Sequence, residues 1–234
     1  MSGRPNHLEQ VIMSNKRGVV LLSGGIDSAT TLYYALDKGY EISVLIFDYG
    51  QKNRGEIGSA KSIAQAAGVE YKVIKLDFSW GGSALLDKDI KLPKGDLERE
   101  GIPVSYVPSR NIVFLSCALS YAETKLFNEI FIGVNAVDYS GYPDCRPSFI
   151  EAFQRVVGSG TKSGVEGNSI KISTPLIDLK KSEIVSLGDS LNVPFNLTSS
   201  CYKGGSGPCM ECDSCLIRER GFKEAGLEDP IIKR

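Results

Sequence analysis

The residues best placed to do chemistry begin with Ser23-Gly-Gly-Ile-Asp-Ser28, which follows four apolar residues, Val19 to Leu22, and runs into a helical pattern from Ser28. A strand that passes through a glycine pair into a helix leaves unpaired N–H groups at the helix N-terminus, where the helix dipole also favours phosphate. Gly24 and Gly25 carry no Cβ and so allow a close backbone approach. Ser23 and Ser28 add hydroxyls, and either Asp27 or Ser28 can cap the helix. A carboxylate repels phosphate unless a cation such as Mg²⁺ lies between them, so Asp27 points to a metal-assisted site. The loop is neither G-x-x-x-x-G-K-[ST] nor G-x-G-x-x-G. The plainer alternative is an ordinary β–α turn capped by serine.

Cys201, Cys209, Cys212 and Cys215 form a second constellation, spaced C-x7-C-x2-C-x2-C. Four thiolates this close can wrap one tetrahedral Zn²⁺, and a site filled by sulfur is structural rather than catalytic. An iron–sulfur cluster is the competing reading, since thiolates hold those too. Gly204, Gly205, Gly207 and Pro208 supply the turn between the first ligand and the rest. Two disulfides are disfavoured in a cytosolic chain. Cys117 falls on a helix and reads as a small buried hydrophobe, and Cys145 as packing, because no histidine base is available. The single histidine, His7, lies in a polar extension, which argues against Ser–His–Asp and Cys–His mechanisms, a fused glutaminase included.

Two further stretches stand out: Val107-Pro-Ser-Arg-Asn111 and Asp138-Tyr-Ser-Gly-Tyr-Pro-Asp-Cys-Arg146. The second is either a solvated turn-rich loop or a binding loop. As a binding loop it offers aromatic faces for stacking, carboxylates for N–H edges and a guanidinium for an anion. That set suits a purine-like base bearing an acid group.

The elements that must position these groups follow from apolar periodicity. Ala29, Leu32, Tyr33 and Leu36 mark a helix, Ile42 to Phe47 a buried parallel strand, and Ala60, Ile63, Ala64 and Ala67 a second helix. Asp48, Tyr49 and Gln51 fall at the C-terminal end of that strand, where open α/β sheets place ligands. Tyr71 to Leu76 is a third strand, so β–α–β–α–β predicts a doubly wound, mostly parallel sheet. Asp77 to Tyr106 reads as a long functional loop with a short helix near Ala84 to Asp87. A helix over Asn111–Leu126, a strand over Glu129–Val134 and a helix around Phe149 to Val157 come next. Gly158 to Gly167 reads as a mobile crossing or lid, Ile170 to Ser173 as an edge strand, and Lys181 to Leu191 as a helix.

The expected organisation is a polar extension over 1–17, an α/β domain over 18–195 and a cysteine region over 196–234. Charged residues make up 24% of the 234 and the net charge is −1, which gives no global case for nucleic-acid binding. No apolar run approaches a membrane span and the N-terminus is no signal peptide, so the expected compartment is the cytoplasm.

S-G-G-x-D-S is the signature of PP-loop ATP pyrophosphatases, which this stretch resembles. That resemblance implies cleavage of ATP between the α and β phosphates and transfer of AMP to a substrate oxygen. Taken in order, the loop, V-P-x-R-N, S-G-Y-P-D-C-R, T-P-L followed by Lys181-Ser-Glu, and the cysteine knuckle resemble the 7-cyano-7-deazaguanine synthase family from Gly18 to Phe222. Ser109 departs from a pattern that often carries glycine there.

The resemblance implies that 7-carboxy-7-deazaguanine, ammonia and ATP give the nitrile through adenylated carboxylate and amide, for queuosine or archaeosine biosynthesis, in a homodimer. It implies nucleotide contacts along Leu22, Ser23, Gly24, Gly25, Ile26, Asp27, Ser28, Ala29, Thr30, Thr31 and Leu32, with Mg²⁺ at the loop. Ser23, Asp27, Arg110 and Lys181 would be catalytic, although Lys181 reads equally as an exposed helix-start lysine. Arg110, Asp138, Tyr142, Asp144 and Arg146 would bind the substrate. Free ammonia, or a partner delivering it, would be the nitrogen source. Rival readings are a tRNA-modifying PP-loop enzyme, which should be strongly basic, an enzyme conjugating a deazaguanine to protein or DNA, and a non-enzymatic ATP-binding zinc module.

Overall fold

The computed structural model describes residues 16–97, 101–137, 141–205 and 207–232. Five strands form one sheet: β1 (Arg17–Leu21), β2 (Glu41–Asp48), β3 (Glu70–Lys75), β4 (Glu129–Ile132) and β5 (Lys171–Ser173). Their order is β3-β2-β1-β4-β5 and every neighbouring pair is parallel. The order reverses between β1 and β4, so this is a doubly wound sheet with its ligand crevice expected at the C-terminal ends of those strands.

Helices α1 (Ile26–Asp37), α2 (Gly55–Ala66), α3 (Arg110–Lys125), α4 (Pro147–Gly160), α5 (Lys162–Val165), α6 (Lys181–Ser190) and α7 (Asp213–Glu224) complete the chain. Alternate residues of β1 feed two cores. Val19 and Leu21 pack with Leu115 and Ala118 of α3 and with Ile150 and Phe153 of α4. Val20, and Leu22 just beyond the strand, pack with Ala29 and Leu32 of α1, Ile63 of α2, Ile184 of α6 and Phe222 of α7. Burying a side chain such as Leu32 or Leu115 fully is worth about 1.5–3 kcal/mol, which is why strands covered on both faces read as unbroken apolar runs.

Several local expectations are corrected. Helix α1 begins at Ile26 with Gly25 as its N-cap, so neither Asp27 nor Ser28 caps it. Residues 84–87 form one helical turn, closed by Asp87 N–H donating to the Ser83 carbonyl, rather than a helix. The stretch from Gly158 to Gly167 is largely helical: α4 runs to Gly160, then the Thr161 hydroxyl accepts from Gly164 N at 2.9 Å and caps α5. A Cβ at Gly164 would sit 2.4 Å from the Gly158 carbonyl oxygen, so small residues here serve close packing rather than mobility. Among the described residues no helix is long and apolar enough to cross a membrane.

Ser109, just before α3, sits at φ 56°, a left-handed conformation that costs a residue with a Cβ about 1–2 kcal/mol. Glycine relieves that strain but loses about 0.5–1 kcal/mol of backbone entropy. Ser109→Gly is therefore expected to raise Tm by a few degrees in a thermal melt. A lowered Tm would show that the serine side chain contributes more than its backbone costs.

Candidate active site

The crevice at the switch point is a cavity of about 310 Å³, in the size range of small-molecule sites. It is floored by the C-terminal ends of β1, β2 and β4. Ser23, Gly25, Ile26, Asp27 and Ser28 line it, together with Tyr49, Glu56, Arg110, Tyr142 and Lys181. The loop is tied to itself. Ser23 N donates to the Ser28 hydroxyl at 3.2 Å, the two serine hydroxyls bond at 3.0 Å, and Ser28 donates to the Gly25 carbonyl at 3.1 Å.

Gly24 turns away from the cavity at φ 91°, and a Cβ there would lie 2.5 Å from the Glu56 carbonyl oxygen. Its role is to let the loop press against α2. Gly133, after β4, does the same for the start of α1, because a Cβ would meet the Asp27 carbonyl carbon at 2.9 Å. Ala29, Thr30, Thr31 and Leu32 are wholly buried and do not line the cavity. Four consecutive residues go most of the way round the helix, so α1 is covered on several sides, Thr30 lying against Gly188 of α6 and Thr31 against Gly133.

Lys181, the first residue of α6, donates to both carboxylate oxygens of Asp27 at 2.5 and 2.6 Å. The two are 154 residues apart in sequence. Arg110 opens α3, donates from Nη1 to the Tyr49 hydroxyl at 3.2 Å, and stands over the Tyr49 and Phe114 rings at 5.7 and 5.8 Å. Its Nε is buried and has no hydrogen-bond partner among the described residues. A buried donor without an acceptor is costly, so the fold holds this guanidinium at the cavity wall at some cost in free energy.

The S-G-Y-P-D-C-R loop divides. Tyr142 lines the cavity and its hydroxyl bonds the Ser105 hydroxyl at 2.8 Å. Asp144 does not line it. Its carboxylate is buried and accepts from Asn111 N at 3.0 Å, so it fixes the first turn of α3 that presents Arg110. Arg146 is exposed at the start of α4, away from the cavity. Asp138 lies outside the described residues. Cys145 is buried and accepts a hydrogen bond from Asn111, and burial pushes its thiol up to about 12, the state of an inert thiol.

The residues that sequence reasoning missed are Glu56, Tyr202, Gly133 and Arg218. Burial raises the Glu56 carboxyl to about 7, against the opposing charge of Arg110 and a hydrogen bond with Asn53. An acid in the first turn of a helix is ordinary, so the sequence carried no signal for Glu56.

The four cysteine sulfurs all lie within 4.8 Å of one another. Tetrahedral zinc with Zn–S bonds of about 2.3 Å separates its sulfurs by about 3.8 Å, and Cys209 and Cys215 already stand 3.9 Å apart. The cage therefore fits a single ion, whereas a cluster would push the thiolates further apart. Hydrogen bonding from Cys215 lowers the pKa of the Cys212 thiol. The long loop docks on this knuckle, with Gly95 N donating to the Glu211 carbonyl at 2.7 Å and Asp96 N to the Asp213 carboxylate at 2.8 Å. One zinc per chain is expected by elemental analysis, and Cys212→Ser should lose both the metal and several kcal/mol of stability. Unchanged stability after complete metal removal would exclude a structural ion.

Residues 17–226 match the family model described as queuosine biosynthesis protein QueC. The chain belongs to this family. A relative in Acetivibrio thermocellus, named 7-cyano-7-deazaguanine synthase, is 56% identical over 92% of this chain and 97% of its own length. One of the same name in Thermoplasma acidophilum is 48% identical, covering 94% of this chain and 92% of its own. Among solved structures, NMN synthetase from Francisella tularensis shares the fold at a TM-score of 0.50 and 17% identity, over 94% of this chain and 80% of that one.

Proposed function

We propose that this protein uses ATP to convert 7-carboxy-7-deazaguanine and ammonia to 7-cyano-7-deazaguanine for queuosine biosynthesis. The observation that carries the reading is one cavity holding a PP-loop, the Asp27–Lys181 pair and an Arg110 Nε in need of an acceptor. Membership of the QueC family supports it.

A carboxylate oxygen of the substrate attacks the α-phosphorus of ATP, the bond to pyrophosphate breaks, and an acyl adenylate forms. Ammonia adds to the acyl carbon and AMP departs with the C–O bonding pair, leaving the amide. A second ATP activates the amide oxygen in the same way, and loss of AMP and the nitrogen-bound protons leaves the nitrile. One pocket serves both activations because acid and amide keep the same deazaguanine handle.

In this reading the Ser23–Ser28 loop receives phosphate on backbone N–H groups and hydroxyls. Lys181 stabilises charge on the transferring phosphoryl group. Arg110 supplies its Nε–H to the substrate carboxylate, and the Tyr49 and Tyr142 rings flank the base. Asp27 and the serine hydroxyls are hard-oxygen donors fit to hold Mg²⁺, which when bound neutralises phosphate charge. Zinc in the cysteine cage stays structural. Homodimeric assembly and a cytoplasmic location complete the proposal.

The test is pyrophosphate release from ATP, Mg²⁺ and ammonium, with and without 7-carboxy-7-deazaguanine, with the product followed by mass. Substrate-dependent pyrophosphate and the nitrile mass are expected. Pyrophosphate without nitrile would move the substrate elsewhere, and ATP binding without pyrophosphate would favour a binding module.

A further inference from the structure

Beside the main cavity lies a second, much smaller chamber of about 10 Å³, room for a single water-sized guest. Tyr49, Gln51, Asn53, Glu56, Leu85 and Tyr202 wall it, and all but Asn53 also line the main cavity, so the two spaces adjoin. Most polar groups of the wall are already engaged. Gln51 accepts from Tyr49 N at 3.0 Å and donates to the Phe47 carbonyl at 3.2 Å. Asn53 donates to the Cys201 carbonyl at 2.7 Å and accepts from Gly55 N at 3.0 Å. The Tyr49 hydroxyl accepts from Arg110. The Glu56 carboxylate, half-buried in this wall, has a hydrogen bond with Asn53 but makes no ion pair within 4.0 Å among the described residues. A half-buried carboxylate that lacks a counter-ion has room for a small cation.

We propose that this chamber is the ammonium site, and that Glu56 holds the cation and takes the proton that frees ammonia to attack. The inference rests on the function proposed above and assigns its nitrogen source a place. A guest the size of water fits ammonium and excludes alkylated amines. The Tyr49 and Tyr202 rings add faces that attract a small cation. Gly24 presses the phosphate loop onto the backbone of Glu56, so the chamber adjoins that loop.

The step balances. Ammonium passes one proton to the Glu56 carboxylate, and the nitrogen lone pair forms the C–N bond as AMP leaves with the C–O pair. The second proton leaves the new amide nitrogen for solvent. A carboxyl held up near 7 by burial can accept that proton and release it between turnovers. The charged and titratable groups facing it are Arg110 from α3, Tyr49 beyond β2 and Tyr202 from the cysteine segment.

The test uses Glu56→Gln in the full chain, which keeps the shape and removes the charge. Pyrophosphate exchange into ATP with 7-carboxy-7-deazaguanine and no ammonium reads adenylation alone. With each variant's turnover normalised to its own exchange rate, KM for ammonium should rise about tenfold or more. Parallel loss of exchange would make Glu56 part of nucleotide handling, and an unchanged ammonium KM would leave it no role; either result overturns the proposal.

A second measurement needs no substrate. At pH 8 and constant ionic strength, ammonium should raise the parent's Tm above the value in tetramethylammonium, and should not do so for Glu56→Gln. Equal Tm values for the parent would refute the site. A parent that shows no exchange with 7-carboxy-7-deazaguanine would defeat the functional reading instead, and the melting comparison would still decide the chamber.

Discussion

Lys181→Met should lower substrate-dependent pyrophosphate release by roughly 10²–10³-fold, the usual loss when one preorganised charge at a transferring group is removed. The reason is how firmly the ammonium is held. Its Nζ bonds both Asp27 oxygens, and its side chain is 11% exposed. The aliphatic stem lies against Gly221 of α7, where a Cβ would fall 2.4 Å from Lys181 Cγ. Such a side chain has little rotamer freedom left to lose on binding phosphate. Lys181→Arg should not rescue the rate, because a planar guanidinium is bulkier than the slot and presents its donors differently. Single-turnover pyrophosphate release, with a melt confirming that the variant folds, makes the comparison. A rate within about twofold of the parent would reduce Lys181 to a structural partner of Asp27.

Asp229→Ala should remove about 3–5 kcal/mol of stability, the cost of leaving one member of a buried ion pair alone, and lower Tm by roughly 6–20 °C. Arg218 is 2% exposed and binds Asp229 through Nε and Nη2 at 2.6 and 2.7 Å. Its Nη1 donates to the Thr198 hydroxyl at 2.7 Å, and the guanidinium stands 5.3 Å from the Phe222 ring centre.

This clasp reaches the active site. Next to Thr198, Ser199 N donates to the Gly24 carbonyl at 2.8 Å, so the C-terminal segment braces the phosphate loop. The double variant Arg218→Met with Asp229→Leu should lose less than Asp229→Ala, since no charge is stranded. Denaturant melts of the three proteins test this. A single variant within about 1 kcal/mol of the parent would mean that water reaches the guanidinium.

Much of the architecture was legible in the sequence because it depends on short-range pattern. The apolar runs of β1, β2 and β4 and the periodic helices between them specify a parallel doubly wound sheet, and the crossover rules leave few alternatives. Ser23 to Ser28 could be placed at a strand–helix junction because glycine, serine and acid stand in order over six residues. Four cysteines in fifteen residues declare a metal cage by proximity along the chain. In each case the interacting groups are near neighbours in sequence.

Only the tertiary structure decided what distant residues do to one another. Residues 138–146 looked like one binding loop, yet the fold sends Tyr142 into the cavity, spends Asp144 on the backbone of Asn111 and leaves Arg146 outside. Loop composition cannot say which way each side chain faces. Ser109 looked like a mild departure from a glycine pattern, and its φ of 56° supplies the physical meaning of that pattern. Glu56 carried no signal of its own, since an acid in a helix's first turn is ordinary. It became a site residue when α2 packed on the phosphate loop and Tyr202, 146 residues away, closed the chamber over it. The sequence determined the strand–helix frame and the local motifs, because these rest on periodicity and adjacency. Burial, charge pairing and pocket shape were left to tertiary packing, because each depends on groups the chain brings together only after it has folded.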